Sequence, residues 1–600
     1  MFKSRRTRAM AVHERLRLYT THDAFAIAGD QEKEMLEIDR STDEIRLIRN
    51  TTSAPPTASI QQIFGVVGII RLIAGRYLIV ITKRQQVGQI DGHPIWKITE
   101  TDVISFSRSS RHLTEIQTKN NAAYLNMVKS VLSTESFYFC TAYDLSHTLQ
   151  RIRNAGSEFK DVSLFERAAS HFVWNRYLLQ EISSQRELSR FALPILHGFI
   201  SFRECVINEK KFQFLLISRR SSLRAGVRYY RRGIDVDGHA ANTVETEQIV
   251  FYNGAKASFV QVRGSIPLVW SQKPNLSYKP KPLIADDVDQ TKSFQKHIEM
   301  QHSFYGRLVA IDLINQKGSE QPLGNRFSRE AEKLSDDSVL KYHAFDFHHQ
   351  CKNMRWDKLS ILLNDLKNER ERMKHFLVDP RGDSGVDEVQ QEGIFRTNCL
   401  DCLDRTNVVQ GLLARTCLQQ QLETFGILAV GEPLESHKDF DFTFKNIWAD
   451  NGDSIAMQYT GTGALKSDFT RTGKRSIAGA LQDGYKSSVR YLFNNFRDGF
   501  RQDSMDLFLG NYTVDVLEGN QRRLTKRQGW HLAVLPTIFL FVLSMLIISL
   551  IIPTTEWMWQ LIYILFWGVL IMITARLAAI YGYDLVDSPR LTIDGKAFAL

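Results

Sequence analysis

Two uninterrupted apolar runs near the C-terminus constrain this chain more than any other feature. Leu532 to Ile552 reads "LAVLPTIFLFVLSMLIISLII" without a charged residue, and Trp557 to Ala575 reads "WMWQLIYILFWGVLIMITA". Each is about the 20 residues that a helix needs to cross roughly 30 Å of hydrocarbon. Pro536 is expected in the first turn of the first run, where a missing N–H is tolerated. The loop between them, Pro553 to Glu556, has no Lys or Arg. Arg522, Arg523, Lys526 and Arg527 precede the pair, and Arg576 and Arg590 follow it. The positive-inside rule therefore predicts a membrane hairpin with both termini in the cytosol. The alternative is a helical hairpin buried in a soluble core. A cytosolic placement also predicts no sugar on the sequons that start at Asn50, Asn275 and Asn511.

The remaining 500 or so residues exceed what one core usually serves. Strand-like segments dominate the first third, among them "EIRLIRN", "TASIQQIFGVVGIIRLIAG" and "YLIVITKRQQVGQI". Beyond about residue 170, helical patterns join them: "HFVWNRYLLQEI", and the cation-rich "SDFTRTGKRSIAGALQDGYKSSVRYLFNNFRDGF". "SFVQVRGSIPLVWSQ" between these reads as strand–turn–strand. The expected division is a strand-rich scaffold over 1–170, a catalytic domain over 171–508 and a polar tether over 509–530. Transmembrane helices over 531–552 and 557–580 and a cytosolic tail over 581–600 complete it. The fold class is mixed α/β. Six scattered cysteines indicate a reducing compartment, and a formal charge of +10 favours anionic partners. The basic N-terminus lacks the apolar stretch of a secretory signal.

"FRTNCLDCLDRTN", Phe395 to Asn407, carries the chemistry. Five residues separate Cys399 from Arg405, Thr406 follows, and "NVVQGLLARTCLQQQLE" reads as a helix starting near there. Backbone N–H groups at a helix start point at an anion, and a guanidinium clamps two phosphoryl oxygens. The same field favours thiolate at Cys399, a nucleophile for phosphorus that needs no metal or other cofactor. Thr406 is placed to donate to the departing sulfur. The loop lacks the glycine usual in such loops and holds Asp401 and Asp404, which would repel a phosphate dianion. Crowding with substrate would raise an aspartate's pKa and keep it protonated as general acid. Asp401, nearer the nucleophile, is the candidate, with a plain turn carboxylate as the alternative. A zinc reading of Cys399-x2-Cys402 lacks a second pair, since Cys417 stands alone and His348, His349 and Cys351 match no familiar spacing. A redox dithiol lacks its βαβ surroundings.

"RTNCLDCLDRTN" resembles the signature of the Sac-domain phosphoinositide phosphatases, in which the loop takes this acidic, glycine-free form. "RAGVRYYRRGIDVDGHAANTVETEQIV", "QVRGSIPLVWSQ", "FDFHHQCKNMRWDKL" and "NGDSIAMQYTGTGALKSDFTRTGKR" extend the likeness over roughly Tyr77 to Gly510. The apolar pair narrows it to the integral-membrane type of the endoplasmic reticulum and Golgi. The resemblance implies hydrolysis of phosphatidylinositol 4-phosphate, with activity on the 3-phosphate, and an N-terminal Sac subdomain packed on a catalytic one. It implies Cys399 as nucleophile and Arg405 as phosphate clamp, and association with sphingolipid-synthesis machinery in the same membrane. The tail "DGKAFAL" lacks the lysine pair that retrieves some members. Asp404, Asn407, Arg228, Lys466, Arg471 and Lys474 are expected substrate contacts, as are Arg231, Arg232 and Arg475 more loosely. A solvated basic face is the plain alternative. The competing function is a membrane scaffold that binds phosphoinositides and partner proteins without turnover.

Overall fold

The computed structural model describes residues 11–29, 34–49, 58–109, 111, 113–334, 336–352, 355–380, 388–472, 476–515, 524, 530–552 and 556–591. The fold is mixed α/β, strand-rich first and helical later, as read from the sequence. Five antiparallel strands between Leu16 and Ile63 form a first sheet. A second, 12-stranded sheet begins with Val66–Leu72, Gly75–Ile90 and His93–Ser105. It continues through Phe137–Phe139 into Leu196–Ile207, so it crosses the expected division near residue 170 without a break.

The far end of that sheet is parallel. Gly393–Asn398 lies between Ala255–Arg263 and Arg307–Asp312, and Leu340–Ala344 flanks the last. Every residue of Gly393–Asn398 is buried, as expected where both faces of a parallel sheet are covered. Helices Gln290–Tyr305 and Gln321–Lys333 cover one face through Phe294, Ile298, Leu323 and Phe327. Helices Asp404–Thr424 and Lys438–Thr460 cover the other through Val409, Leu413, Phe444 and Trp448. Crevices outside the C-terminal ends of parallel strands are where such sheets take ligands. Cys399 stands at that end of the central parallel strand.

Three segments depart from the sequence reading. "HFVWNRYLLQEI" is mostly turns, with a regular helix only at Gln180–Ser183. Asn175 explains this, because its buried amide donates to Val67 O and Leu193 O and accepts from Ile195 N. The Leu178 carbonyl also accepts from Ile69 N. Pro536 sits inside the helix Trp530–Ile551 rather than in the first turn of the run, because the helix starts before Leu532. Most of the expected tether lies outside the described residues, but its start is docked. Tyr512 is buried, with its hydroxyl 3.3 Å from that of Tyr124.

Trp530–Ile551 and Trp557–Ile580 pack side by side, Phe541 edge-on to Trp567, and are long and apolar enough to cross a membrane. The chain after them returns to the helices Ile477–Phe496 and Asp498–Phe508. Asp587 N donates to Asn495 O, and Arg590 N and Leu591 N donate to Asp503.

Candidate active site

The loop Cys399–Leu403 joins the buried strand Gly393–Asn398 to the helix Asp404–Thr424. It curls without glycine because Cys402 adopts φ +54°, a left-handed conformation that costs an L-residue roughly 1–2 kcal/mol. Local bonds hold that turn. Cys402 N donates to Cys399 Sγ at 2.8 Å, and Cys402 Sγ donates to Gly264 O at 2.7 Å. Gly264 and Ser265, from "QVRGSIP", form the floor: their carbonyls also accept from the Asn398 amide, and Ser265 O from Arg396.

Cys399 is poised as a thiolate. Burial pushes its thiol up, but the Cys402 thiol, the Arg405 charge and Thr406 outweigh this and lower it to about 6. Thr406 Oγ1 donates to Cys399 Sγ at 3.4 Å. Cys402 moves the other way: burial, then the neighbouring Cys399, hold it well above the usual thiol range. One sulfur carries the charge and the other keeps its proton. Cys399 and Cys402 do not share ligands with His348, His349 or Cys351, and among the described residues no three His, Cys, Asp or Glu side chains converge as a metal set would.

Arg405 lines the cleft above the thiol, its Nη1 donating to Leu313 O at 3.2 Å and to Glu320 at 3.3 Å. The cleft encloses about 320 Å³. Arg228, Asp401, Asp404, Asn407 and Lys466 all reach it, together with Tyr278, Lys279, Glu320, His348, Arg490 and Asn494.

Asp401 differs from the expectation of a protonated acid. Arg228 grips its carboxylate with two bonds, at 3.0 and 2.6 Å, and Arg232 adds a third at 2.7 Å. Burial alone would raise its pKa, but those two guanidiniums drive it far below the usual carboxylate range. Asp401 is therefore a fixed anion that ties the loop to the segment "RYYRR". Asp404 has the opposite bias: burial raises its pKa, although its Oδ1 accepts from Leu465 N at 2.9 Å.

The other expected contacts divide. Asn407 is spent on structure: its Oδ1 accepts from Arg263 and Asn451, and its Nδ2 donates to Trp448 O. Lys466 is exposed at the cleft rim with φ +60°, its backbone N held by Asp483. Arg471 points away, onto Asn446, Asp450 and Asp453, and does not line the cleft. Arg231 is likewise taken by Asp506. Arg232 is buried beside the loop, bonded to Gln272, Leu400 O and the Tyr459 hydroxyl as well as Asp401. Lys474 and Arg475 lie outside the described residues. Glu320, Gln272, Tyr459 and Arg490 were not singled out from the sequence. Gln272 ends the block "QVRGSIPLVWSQ" and Tyr459 lies within "NGDSIAMQYTGTGALKSDFTRTGKR", the signal that could have marked them.

Residues 64–352 match the family model described as SacI homology domain. The chain is 50% identical over 577 residues to phosphatidylinositol-3-phosphatase SAC1-B of Danio rerio, covering 96% of this chain and 97% of that protein. It is 40% identical over 588 residues to phosphatidylinositol-3-phosphatase SAC1 of Drosophila melanogaster, covering 97% of each. With phosphatidylinositol-3-phosphatase SAC1 of Saccharomyces cerevisiae it shares 36% identity over 472 residues, 76% of this chain and 74% of that protein. Identity of that order, carried over almost the full length of the first two relatives and three quarters of the third, means that this chain belongs to the SAC1 family of phosphoinositide phosphatases.

Proposed function

We propose that the chain hydrolyses phosphatidylinositol 4-phosphate to phosphatidylinositol, with the 3-phosphate as a second substrate, through a phosphocysteine at Cys399. The single observation that carries this is the Cys399 thiol, lowered to about 6 at the mouth of a helix, in a cleft that also holds Arg405. The names of the relatives, phosphatidylinositol-3-phosphatases, support a phosphoinositide as substrate.

In the first step the thiolate attacks phosphorus, an S–P bond forms and the bond to the inositol oxygen breaks. That oxygen takes a proton. Asp401, held ionised, is poorly placed to give it; Asp404, its carboxyl raised by burial within the same cleft, is the better donor. Asp401 acts instead by holding the loop. In the second step water attacks phosphorus, orthophosphate forms and the thiolate leaves, stabilised by Thr406 and the Cys402 amide. For Arg405 to clamp the phosphate it must turn from Glu320, a weak partner at 3.3 Å. Lys466, Arg228 and Arg490 supply cations for the ring and its phosphate.

The hairpin is read as a membrane anchor of the endoplasmic reticulum and Golgi, with the catalytic region in the cytosol. The return of Asp587–Leu591 to the domain that precedes the hairpin supports one side for both ends. Partners in sphingolipid synthesis remain part of this proposal through the resemblance alone.

The test uses the full chain reconstituted in vesicles carrying each phosphoinositide monophosphate, with EDTA present. Phosphate release from the 4-phosphate that survives EDTA and is lost in Cys399→Ser is the expected result. Silence from both proteins, with folding verified, would favour the scaffold reading instead.

A further inference from the structure

The helix Ile477–Phe496 has two faces with different tasks. Ser487, Arg490, Tyr491 and Asn494 line the Cys399 cleft. Ile477, Leu481, Tyr485, Leu492 and Phe496 are exposed, from 49% to 84%. At 100° per residue these five fall within an arc of about 100°, the width of a full apolar stripe. A soluble chain rarely leaves such a stripe uncovered along a 20-residue helix.

What covers it is indicated by where the helix ends. Phe496, Phe500 and Tyr491 form one wall of a cavity whose opposite wall is Leu532, Leu535 and Pro536 of the first apolar helix and Ala575 and Ala578 of the second. The stripe therefore begins where the hairpin leaves its apolar span. An exposed cation, Arg497, stands at its end, and Lys279 and Lys466 are exposed on the rim of the cleft. An apolar stripe flanked by cations is what binds the boundary of an anionic leaflet.

We propose that Ile477–Phe496 is an interfacial helix. It seats this stripe in the cytosolic leaflet of the membrane that the hairpin crosses, which holds the cleft behind it within a helix's width of the head groups of that same membrane. The inference rests on reading the hairpin as a membrane anchor. It makes the substrate a lipid of the enzyme's own bilayer rather than one presented from a facing membrane.

The test places an environment-sensitive fluorophore at Leu481→Cys in the full chain, in a Cys399→Ser background. The five remaining cysteines are buried, which directs the label. A second label at Val430→Cys is the control; Val430 is 93% exposed and follows the helix Asp404–Thr424, whose 21 residues carry it roughly 30 Å from the cleft. The chain is reconstituted in phosphatidylcholine–phosphatidylserine vesicles containing lipids spin-labelled near the head group. Quenching and blue-shifted emission at position 481 but not at 430 are expected. Equal quenching at both, no quenching at 481, or energy transfer between copies in place of quenching would overturn the proposal. Resistance of the chain to alkaline extraction reports the anchor separately, and the label needs no activity. As a functional arm, Leu481→Ser with Tyr485→Ser should lower turnover of vesicle-borne phosphoinositide at least about tenfold while sparing a short-chain soluble analogue. Equal change on both substrates, or on neither, would also overturn it.

Discussion

At the scale of single residues, the site works by splitting like groups. Cys399 and Cys402 lie in one loop, yet one is lowered to about 6 and the other raised. Because the thiolate is the reactive form, alkylation of Cys399 should rise through pH 6, against about 8.5 for a free cysteine. Thr406→Val removes the donor 3.4 Å from the sulfur and should cut the rate at pH 6 by roughly tenfold, since a bond to a charged group contributes about 1.5–3 kcal/mol. Iodoacetamide kinetics against pH measure both. The two aspartates are split in the same way, and a pair of substrates tells them apart. Asp404→Asn should slow turnover of the lipid by about 10²–10⁴-fold but slow an aryl phosphate, whose leaving group needs no proton, far less. Asp401→Asn leaves Arg228 and Arg232 facing one another at a buried site, a loss on the order of 3 kcal/mol, and should slow both substrates alike. An Asp401→Asn variant selectively impaired on the lipid would restore the original assignment of that residue as the acid.

At the scale of elements, the decisive contact is between the helices Asp404–Thr424 and Lys438–Thr460. Gly452 sits where they meet, and a Cβ there would lie 2.8 Å from Asn407 Nδ2. Asn407 anchors the first turn of the catalytic helix to Trp448 O, so that turn, rather than the whole fold, would take up the strain. Gly452→Ala should therefore cost a modest 1–3 kcal/mol or so of stability but depress turnover by more than that loss explains, as paired denaturation and kinetics would show. The same contact marks the limit of what the sequence made legible. Cys399, Arg405 and Thr406 could be read because a strand, a loop and a helix start deliver them within one short stretch. Glu320, Gln272 and Arg490 could not, because each reaches the cleft from a separate segment, nor could Tyr459, which holds Arg232 behind it; their roles exist only after folding. Asn407 lay inside the motif and was read as a substrate contact; it does line the cleft, but its amide is engaged by Arg263, Asn451 and Trp448, which the sequence could not show. The turns at Trp174–Leu179 escaped for a related reason: an apolar-aromatic pattern predicts a helix, but the bonds of Asn175 to remote strands replace the helical ones.

At the scale of the whole molecule, the chain that follows the hairpin is fixed to the helices that precede it. The tether before the first apolar helix starts against the helix Glu115–Leu132, where Tyr512 meets Tyr124, while the segment after the second closes on the helix Asp498–Phe508. Asp587, Arg590 and Leu591 form that closure. Their amides bond to Asn495 O and Asp503, and the Tyr230 hydroxyl donates to Asp587 O. Leu591 is 2% exposed, within the core that includes Leu507, Phe508 and Tyr512. A flexible linker would let the cleft sample many orientations, whereas a strap fixed at this point keeps the interfacial helix beside the membrane exit. The strap's stability is therefore a condition for the orientation proposed above. Burying a leucine fully contributes about 1.5–3 kcal/mol, so Leu591→Ser should raise local opening by roughly 45-fold at the middle of that range. Hydrogen exchange of the full chain in vesicles would show this at the amides of Arg590 and Leu591, with the strand Gly393–Asn398 unchanged. If those amides already exchange freely in the unaltered chain, the strap does not hold the domain, and the fixed orientation must come from the apolar stripe alone.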